Sequence, residues 1–329
     1  MEKIKAAVLL PLDRTQQELL EASGKGRCEF SYIEPKEGRE KRLQRLCEVE
    51  IVFGEPTLAE IRQCPRLRWI QSSFAGMDRY TMAEDFPVEK VILTNARGCF
   101  GTVIAEYIVA VILSLCRNLK SYALCQQEAR WQPLGTETLL AGKQILILGA
   151  GDIGTAAAKR LKAFGTHLTG MRRTERNHPD CYDAMITEEE LDQALPKADI
   201  VVGCLPNTAR TQRMLNKKRL YQMKKGAFLV NVGRGSLIDT EALVELLKEG
   251  WIGGAALDVT EQEPLPPDHP LWRMEQVILT PHIAGVSFGY SKDTENRIVQ
   301  VFCQNLERYL GRKELRNRVD FSTGYVTVL

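Results

Sequence analysis

Residues 145–154 read ILILGAGDIG, four apolar residues that run directly into a GxGxxG turn. The apolar run predicts a buried strand, and the residues after the turn predict a helix over 153–164. In such a unit Gly149 permits the tight turn, Gly151 lets the backbone approach a pyrophosphate, and Gly154 allows close packing of helix on strand. The N–H groups and the positive dipole at the helix N-terminus favour the phosphates. The stretch therefore predicts a dinucleotide-binding Rossmann unit; the alternative is a glycine-rich turn without a ligand.

The end of the following strand indicates which dinucleotide binds. NAD sites normally place Asp or Glu there, about 20 residues after the turn, to bind the ribose 2′-hydroxyl. This chain has Arg172 and Arg173 instead. A guanidinium fork suits a dianionic 2′-phosphate, which a carboxylate would repel. The sequence therefore favours NADP(H) over NAD(H), and the alternative is that both arginines belong to a solvated loop.

Short apolar runs alternate with helical patterns along the rest of the chain. This alternation predicts an α/β protein with parallel sheets, and a length of 329 residues suggests two domains. We expect two Rossmann-like, doubly wound domains: a discontinuous one of residues 1–98 and 290–329, and a continuous dinucleotide-binding one of residues 99–289. A long apolar helix is predicted over 102–119. The polar segment 121–141 is predicted to be an extended arm.

The composition argues against several classes of protein. Lys and Arg number 44 and Asp and Glu 42, a net charge of +2, so the basic face of a nucleic-acid-binding protein is not expected. The nine cysteines are scattered and the four histidines do not cluster with them, so neither a disulfide framework nor a metal site is expected. The longest apolar stretch, residues 107–116, is too short to span a membrane, and the N-terminus reads as a strand rather than a signal peptide. We expect a soluble, cytoplasmic protein.

Three further segments lie at or just beyond the ends of predicted strands. They read NVGRGSLID (231–239), ALDVTEQEPLP (256–266) and LTPHIAG (279–285). In open α/β sheets, ligands bind at this edge. An arginine, a glutamate and a histidine gathered there around a nicotinamide form a plausible hydride-transfer site.

With these segments the sequence resembles the D-isomer-specific 2-hydroxyacid dehydrogenase family. The resemblance covers nearly the whole chain and is strongest over residues 142–285, where the turn and the three segments follow the family's order and spacing. In the N-terminal part SSFAGMD (72–78) is similar to the family's substrate loop. Within the family the sequence most resembles the glyoxylate/hydroxypyruvate reductases, partly because of the two arginines after the GxGxxG unit.

The resemblance implies the catalytic roles. His282 would protonate the keto oxygen as hydride arrives, and imidazole suits this step because it titrates near neutrality. Glu263 would hydrogen-bond His282, orient it and favour its protonated form. Arg234 would hold the substrate carboxylate and polarise the keto group. The backbone N–H groups of Ala75 and Gly76 would bind the other side of that carboxylate.

The resemblance also implies cofactor and subunit contacts. Besides the glycines and the arginine pair, the residues assigned to the cofactor lie in turns after strands: Asp152, Ile153, Leu205, Pro206, Val232 and Asp258. Asp258 would bind the nicotinamide carboxamide, and Asp152 and Ile153 would present N–H groups to the pyrophosphate. A homodimer is expected through the long helix and an arm of about residues 118–141. Trp131 in that arm matches a family tryptophan that can reach towards the partner subunit's substrate site.

The sequence thus predicts an NADP(H)-preferring reductase of small 2-keto acids that makes D-2-hydroxy acids. The enzyme alternatives are an NAD-dependent D-lactate-type dehydrogenase and a short phosphoglycerate dehydrogenase; a long form with an effector domain is disfavoured because the sequence ends at Leu329. Glu263 stands where the family's formate dehydrogenases carry Gln, which argues against formate. An alternative of another class is a non-catalytic, dinucleotide-sensing protein like the family's co-repressors.

Overall fold

The computed structural model describes residues 3–135, 137–173 and 179–323. The chain divides into two compact units, Met1–Phe100 with Val286–Leu329, and Gly101–Gly285. Over the residues described, the first unit holds a five-stranded sheet and the second a seven-stranded sheet, and the strand pairs in both are parallel. The predicted α/β class with two Rossmann-like domains is confirmed.

The N-terminal part of the first unit alternates strands and helices. Its strands are β1 (Ile4–Val8), β2 (Cys28–Tyr32), β3 (Ile51–Phe53), β4 (Trp69–Gln71) and β5 (Ile92–Thr94). Its helices are α1 (Arg14–Ser23), α2 (Arg39–Cys47), α3 (Leu58–Gln63) and α4 (Asp78–Thr81). The sheet order is β2-β1-β3-β4-β5, so the loops after β3 and β4 lie side by side at the carboxyl edge of the sheet.

Local sequence determines where the helices of this unit begin. At α1 the Asp13 carboxylate accepts a hydrogen bond from the backbone N–H of Gln16 (2.8 Å), and the Gln16 amide oxygen accepts one from the N–H of Asp13 (3.1 Å). Thr57 and Glu60 form the same reciprocal pair at the start of α3. Each pair satisfies two N–H groups that a helix start leaves without partners.

The second unit carries the longer sheet. Its strands are β6 (Gln144–Leu148), β7 (His167–Met171), β8 (Ala184–Ile186), β9 (Ile200–Gly203), β10 (Phe228–Asn231), β11 (Gly254–Leu257) and β12 (Val277–Leu279). Its α-helices are α5 (Gly101–Cys116), α6 (Leu119–Gln127), α7 (Asp152–Lys162), α8 (Leu191–Ala194), α9 (Lys217–Gln222) and α10 (Thr240–Lys248). Short 3₁₀ helices lie at Glu188–Glu190, Leu195–Lys197, Gly235–Leu237 and Pro270–Arg273.

The strand order of this sheet decides where a ligand can bind. The order is β12-β11-β10-β9-β6-β7-β8, so the direction of winding reverses between β6 and β9. The loops after these two strands diverge to opposite faces and leave a crevice at the carboxyl edge. The GxGxxG turn follows β6 and therefore lies at this switch point.

Two expectations about the segment after residue 100 were wrong. The long helix does not continue to residue 119: α5 ends at Cys116, and Asn118 adopts a left-handed backbone (φ 51°) that no α-helix can contain. The arm does not start as extended chain either, because α6 occupies its first third. α5 is apolar on nearly every side, and Ile104, Ile108 and Ile112 are buried.

Helix α11 (Lys292–Leu310) completes the first unit. The Phe302 ring stacks on Phe53 of β3, with centroids 4.3 Å apart, and on Trp69 of β4 at 5.3 Å. The ring of Tyr309, two turns further along the helix, also stacks on Trp69, with centroids 5.3 Å apart. These rings cover one face of the sheet, and the C-terminal helix is therefore part of the first unit's core.

Among the described residues, no single helix has the length and apolarity to cross a membrane. The helices α5 and α6 taken together pass that test, and they are bent by 67° with respect to each other.

Candidate active site

The GxGxxG turn has the geometry that the sequence predicts. Gly149 has a φ of +102°, which a residue with a side chain rarely adopts. A Cβ at Gly154 would lie 2.3 Å from the carbonyl oxygen of Gly149, so helix α7 and the turn are packed backbone to backbone. At Gly151, by contrast, an added Cβ would meet nothing within 4 Å, and the space above the turn is open. The N–H of Ile153 has no acceptor among the residues described. The turn therefore fits a pyrophosphate.

The two arginines follow β7 directly. The Nε of Arg172 donates a hydrogen bond of 2.6 Å to the carbonyl oxygen of Ala150, so this half-buried guanidinium lies against the GxGxxG turn. Arg173 is exposed, and the next residues, 174–178, lie outside the described part of the chain. Within the described residues, Arg172 and Arg173 follow Met171, the last residue of β7, and this described part of the strand end has no Asp or Glu. Two guanidinium groups therefore stand at this end of the crevice.

The loops after β9 and β10 form the other wall of the crevice. A Cβ at Gly233 would lie 2.5 Å from the carbonyl oxygen of Leu205, so the two loops touch through their backbones. Pro206 accepts a hydrogen bond from the Thr211 hydroxyl (2.7 Å), and Val232 is buried. Burial raises the pKa of the neighbouring Cys204 thiol to about 12, so that it stays neutral and is not a nucleophile.

His282 and Glu263 meet after β12 and β11. Nδ1 of His282 lies 2.9 Å from Oε2 of Glu263, and both side chains are half-exposed. The other carboxylate oxygen of Glu263 accepts a hydrogen bond from the backbone N–H of Thr260 (3.1 Å). Because the carboxylate is held at both oxygens, it fixes the orientation of the imidazole and leaves Nε2 as the ring nitrogen for chemistry.

Arg234 follows β10, the next strand in the sheet. Its guanidinium donates to the carbonyl oxygen of Gly233 at 2.8 Å. A Cβ at Gly235 would lie 1.9 Å from the carbonyl carbon of Thr260, so the turn after Arg234 is packed on the loop that carries Glu263. The three predicted catalytic residues thus stand on loops of three neighbouring strands, and the structure shows a direct hydrogen bond between two of them.

Asp258 is almost completely buried (2% exposed) and is bound by its own chain. Its Oδ1 accepts hydrogen bonds from the hydroxyl of Thr280 (2.6 Å) and the N–H of Ile283 (2.8 Å), and its Oδ2 accepts one from the N–H of Ala284 (2.9 Å). Three of the roughly four lone-pair positions of a carboxylate are therefore used by described donors, and the remaining one is on Oδ2.

The predicted substrate loop lies after β4 in the first unit. The carbonyl oxygens of Phe74 and Ala75 accept hydrogen bonds from the N–H of Ala96 (2.9 Å) and from Nδ2 of Asn95 (2.6 Å). The N–H groups of Ala75 and Gly76 have no acceptor in the described part of the chain. These two N–H groups are therefore candidate donors for an anion.

No set of three or more His, Cys, Asp or Glu side chains within residues 3–135, 137–173 and 179–323 is arranged to hold a metal ion.

Comparison with known proteins agrees with this geometry. Residues 109–284, more than half of the chain, match the family model described as "D-isomer specific 2-hydroxyacid dehydrogenase, NAD binding domain". A glyoxylate reductase from Thermofilum pendens is 37% identical over 247 residues, which are 74% of this chain and 71% of that protein. The chain belongs to the D-isomer specific 2-hydroxyacid dehydrogenase family.

Solved structures extend the similarity to the first unit of this dehydrogenase. A D-isomer specific 2-hydroxyacid dehydrogenase family protein from Aeromonas salmonicida superposes with a TM-score of 0.85 at 30% identity, over 97% of this chain and 100% of the other. An NADPH-dependent glyoxylate/hydroxypyruvate reductase from Sinorhizobium meliloti, solved with NADP and sulfate, gives 0.82 at 25% identity, over 98% and 100%. The dehydrogenase is therefore an oxidoreductase acting on CH–OH groups, and it has a domain for a nicotinamide dinucleotide.

Sequence reasoning missed several polar residues around the dehydrogenase's loops. Glu55 Oε1 accepts hydrogen bonds from the N–H of Ser73 (2.7 Å) and the hydroxyl of Ser72 (2.8 Å), and so holds the start of the substrate loop. Tyr107 hydrogen-bonds Thr280 (2.6 Å), two residues before the histidine. Thr280 belongs to the quoted LTPHIAG segment, and its place beside His282 was the available signal. Glu55 gave no signal in the sequence, and Tyr107 lies in the predicted apolar helix, whose pattern does not indicate a role for the hydroxyl.

Proposed function

We propose that this dehydrogenase is an NADP(H)-preferring reductase of small 2-keto acids, of the glyoxylate/hydroxypyruvate type, that makes D-2-hydroxy acids. The observation that carries the proposal is the 2.9 Å Glu263–His282 pair at the carboxyl edge of the sheet that also carries the GxGxxG turn. Two relatives with the same chemistry in their names support it, the Thermofilum glyoxylate reductase and the NADPH-dependent Sinorhizobium reductase.

The crevice of the second unit suits the phosphorylated dinucleotide. The open space at Gly151 and the N–H groups at the start of α7, those of Asp152 and Ile153, would hold the pyrophosphate. Arg172, fixed on the turn through Ala150, and the exposed Arg173 would bind the 2′-phosphate. The nicotinamide end would lie against four residues of the opposite wall: Leu205, Pro206, Val232 and Asp258. When bound, NADPH supplies the hydride.

His282 would act as the general acid. With Nδ1–H donated to Glu263, the Nε2–H of the imidazolium is available to protonate the keto oxygen as the carbonyl carbon accepts the hydride. The products are the D-2-hydroxy acid, NADP⁺ and a neutral imidazole, which takes a proton from water before the next turnover. In the opposite direction the same nitrogen is the base. Glu263 fixes the orientation of the ring through its hydrogen bond to Nδ1.

Each unit offers its own candidate for binding the substrate carboxylate. Arg234 offers a planar fork, and its backbone is fixed on the Glu263 loop by the close packing at Gly235. The N–H groups of Ala75 and Gly76, which no described acceptor uses, are the second candidate for the carboxylate. Arg234 would in addition polarise the keto group.

We also propose that the enzyme is a homodimer formed through α5 and the arm of about residues 118–141. Trp131 is fully exposed, and Leu139 and Leu119 in the same arm are more than half exposed. The α5–α7 groove, lined by Val109, Leu113 and the exposed Phe164 ring, adds a further apolar surface in the same unit. Exposed apolar side chains in such number are typical of a subunit interface.

The test is initial-rate reduction of glyoxylate, hydroxypyruvate, pyruvate and a bulkier 2-keto acid, each with NADPH and with NADH. We expect turnover with glyoxylate or hydroxypyruvate and a higher kcat/KM with NADPH. A preference for pyruvate over the other 2-keto acids, with NADH rather than NADPH, would instead favour a D-lactate-type dehydrogenase. Measurable dinucleotide binding without turnover of any 2-keto acid would favour a dinucleotide sensor and would contradict the proposal.

A further inference from the structure

The loop of residues 280–285 is built around the carboxylate of Asp258. The N–H groups of Ile283 and Ala284 and the hydroxyl of Thr280 all donate to it, and the N–H of His282 donates to the backbone carbonyl of Asp258 (2.8 Å). One buried residue directly after β11 therefore binds four residues of the loop after β12: Thr280, His282, Ile283 and Ala284. The position of that carboxylate determines the path of the loop.

The loop needs such support because its backbone is strained at the catalytic residue. His282 has a φ of 56°, in the left-handed region that residues with a side chain rarely occupy. Such a conformation persists only where the surroundings fix it. If the carboxylate of Asp258 rotated, the backbone of His282 could relax, and the imidazole would leave its place beside Glu263.

A hydrogen-bond chain from α5 holds the carboxylate in turn. The Thr280 hydroxyl has one hydrogen, and it donates this hydrogen to Oδ1 of Asp258, because a carboxylate can only accept. In the 2.6 Å contact between Tyr107 and Thr280, the phenol must therefore be the donor. The chain runs from Tyr107 to Thr280 to Asp258, each hydroxyl donating to the next oxygen.

The phenol is suited to this role. Burial, with the nearby Asp258 carboxylate adding to it, raises the pKa of Tyr107 to about 12, so the hydroxyl keeps its hydrogen throughout the physiological range. α5 is anchored by buried side chains on neighbouring turns, among them Ile104 and Ile108. The donor therefore stands on a rigid element, whereas the histidine that it serves stands on a loop.

From this arrangement we propose that Tyr107 is a positioning residue for the proton-transfer step: through Thr280 and Asp258 it fixes the backbone of His282. The proposal rests on the proposed function for the role of His282 as the acid. Tyr107 does not touch the reacting atoms. Its hydroxyl sets the geometry of the step, while its ring serves the packing of α5.

Four variants separate the hydroxyl from the packing. Tyr107→Phe and Thr280→Val each remove one hydroxyl of the chain at nearly constant volume. Thr280→Ser keeps the hydroxyl and is the conservative rescue. Tyr309→Phe is the matched control, because its hydroxyl donates at the same distance, 2.6 Å, to Glu50 in the other unit.

Two measurements are made on each full-length variant. Steady-state kinetics with NADPH and the best 2-keto acid give kcat and KM. Hydrogen exchange of the peptide covering residues 280–285 reports on the amides of His282, Ile283 and Ala284. For Tyr107→Phe and Thr280→Val we expect kcat to fall about tenfold, with KM for the keto acid within about threefold of wild type. We expect these amides to exchange about tenfold faster. The free energy of one hydrogen bond corresponds to roughly a tenfold change in an equilibrium constant. The double variant should be no slower than the slower single variant.

The outcomes distinguish this proposal from the proposed function. Wild-type exchange in Tyr107→Phe, or a loss of kcat without faster exchange, would overturn the positioning role. Equal losses in Thr280→Ser and Thr280→Val would also overturn it, since the serine keeps the chain. If the wild-type protein reduces no 2-keto acid but Tyr107→Phe still accelerates exchange of the loop, the chain of hydrogen bonds is supported and the proposed function has failed.

Discussion

Replacing the two arginines after β7 should move the cofactor preference from NADPH to NADH. Arg172 is half-buried and held on the GxGxxG turn by its 2.6 Å bond to Ala150, so a 2′-phosphate contact from it should be worth more than one from the exposed Arg173. Charge-assisted hydrogen bonds contribute about 1.5–3 kcal/mol each, and the exposed residue falls at or below the lower end. Two contacts thus total roughly 3 kcal/mol, or about 100-fold in the ratio of kcat/KM values, since 1.4 kcal/mol is tenfold.

The assay separates the two contributions. Arg173→Ala should lower kcat/KM for NADPH about tenfold and leave NADH nearly unchanged. The double variant Arg172→Asp with Arg173→Ala should lose the preference for NADPH, with some loss for NADH because the bond to the turn is gone as well. Arg210→Ala, which removes an exposed arginine paired with Glu188 in the same unit, controls for net charge. An unchanged NADPH-to-NADH ratio in the double variant would refute the reasoning and assign both arginines to a solvated loop.

Four further results are expected. His282→Ala should lower kcat by about 10²–10⁴ with NADPH binding, followed by fluorescence titration, within twofold of wild type; an active variant would remove His282 as the acid. Gly154→Ala should lower the free energy of unfolding by about 1–3 kcal/mol in a urea titration, because the added Cβ would lie 2.3 Å from a backbone oxygen. Gly151→Ala should keep the wild-type free energy of unfolding but bind NADPH poorly. Equal stability of the two variants would contradict the packing argument. Because the pKa of Tyr107 is about 12 in the native state and about 10 when unfolded, the unfolded state loses its proton first, and stability should fall between pH 10 and 12; calorimetry should show a smaller fall in the Phe variant. Trp131→Ser should weaken the homodimer at least tenfold in sedimentation experiments, and an unaffected dimer would place the interface elsewhere.

The parts of the fold that sequence predicted well are those with one dominant signal. β6 (Gln144–Leu148) lies where the sequence predicts a buried strand, because its continuous apolar run ends at the glycine turn. β2 (Cys28–Tyr32) was not predicted, because it is a short edge strand without a continuous apolar run, although Cys28, Phe30 and Tyr32 alternate with the polar Glu29 and Ser31. The break between α5 and α6 was missed because it depends on the left-handed backbone of Asn118, which tertiary context determines.

In the candidate site, too, the sequence predicted the features that have a local signal and missed those that depend on long-range contacts. The catalytic residues stand in segments that are recognisable one at a time, and the structure adds that His282 and Glu263, 19 residues apart, are in hydrogen-bond contact. The bond between Tyr107 and Thr280 joins residues 173 positions apart. A tyrosine within an apolar helix reads as core, and only the fold reveals that its hydroxyl faces a loop of the site. Long-range polar contacts of this kind have no local pattern in a sequence.

The stacking of Phe302 on Phe53 and Trp69 has a consequence for synthesis of the protein. When the first hundred residues leave the ribosome, the sheet that they form lacks the helix that covers these rings, because α11 lies about two hundred residues further along the chain. The second unit, continuous from Gly101 to Gly285, is complete before that helix is made. Until then the aromatic face of the nascent N-terminal segment is uncovered, and exposed apolar surface of this kind is prone to aggregation. In this protein the unit that begins first is the last to be finished.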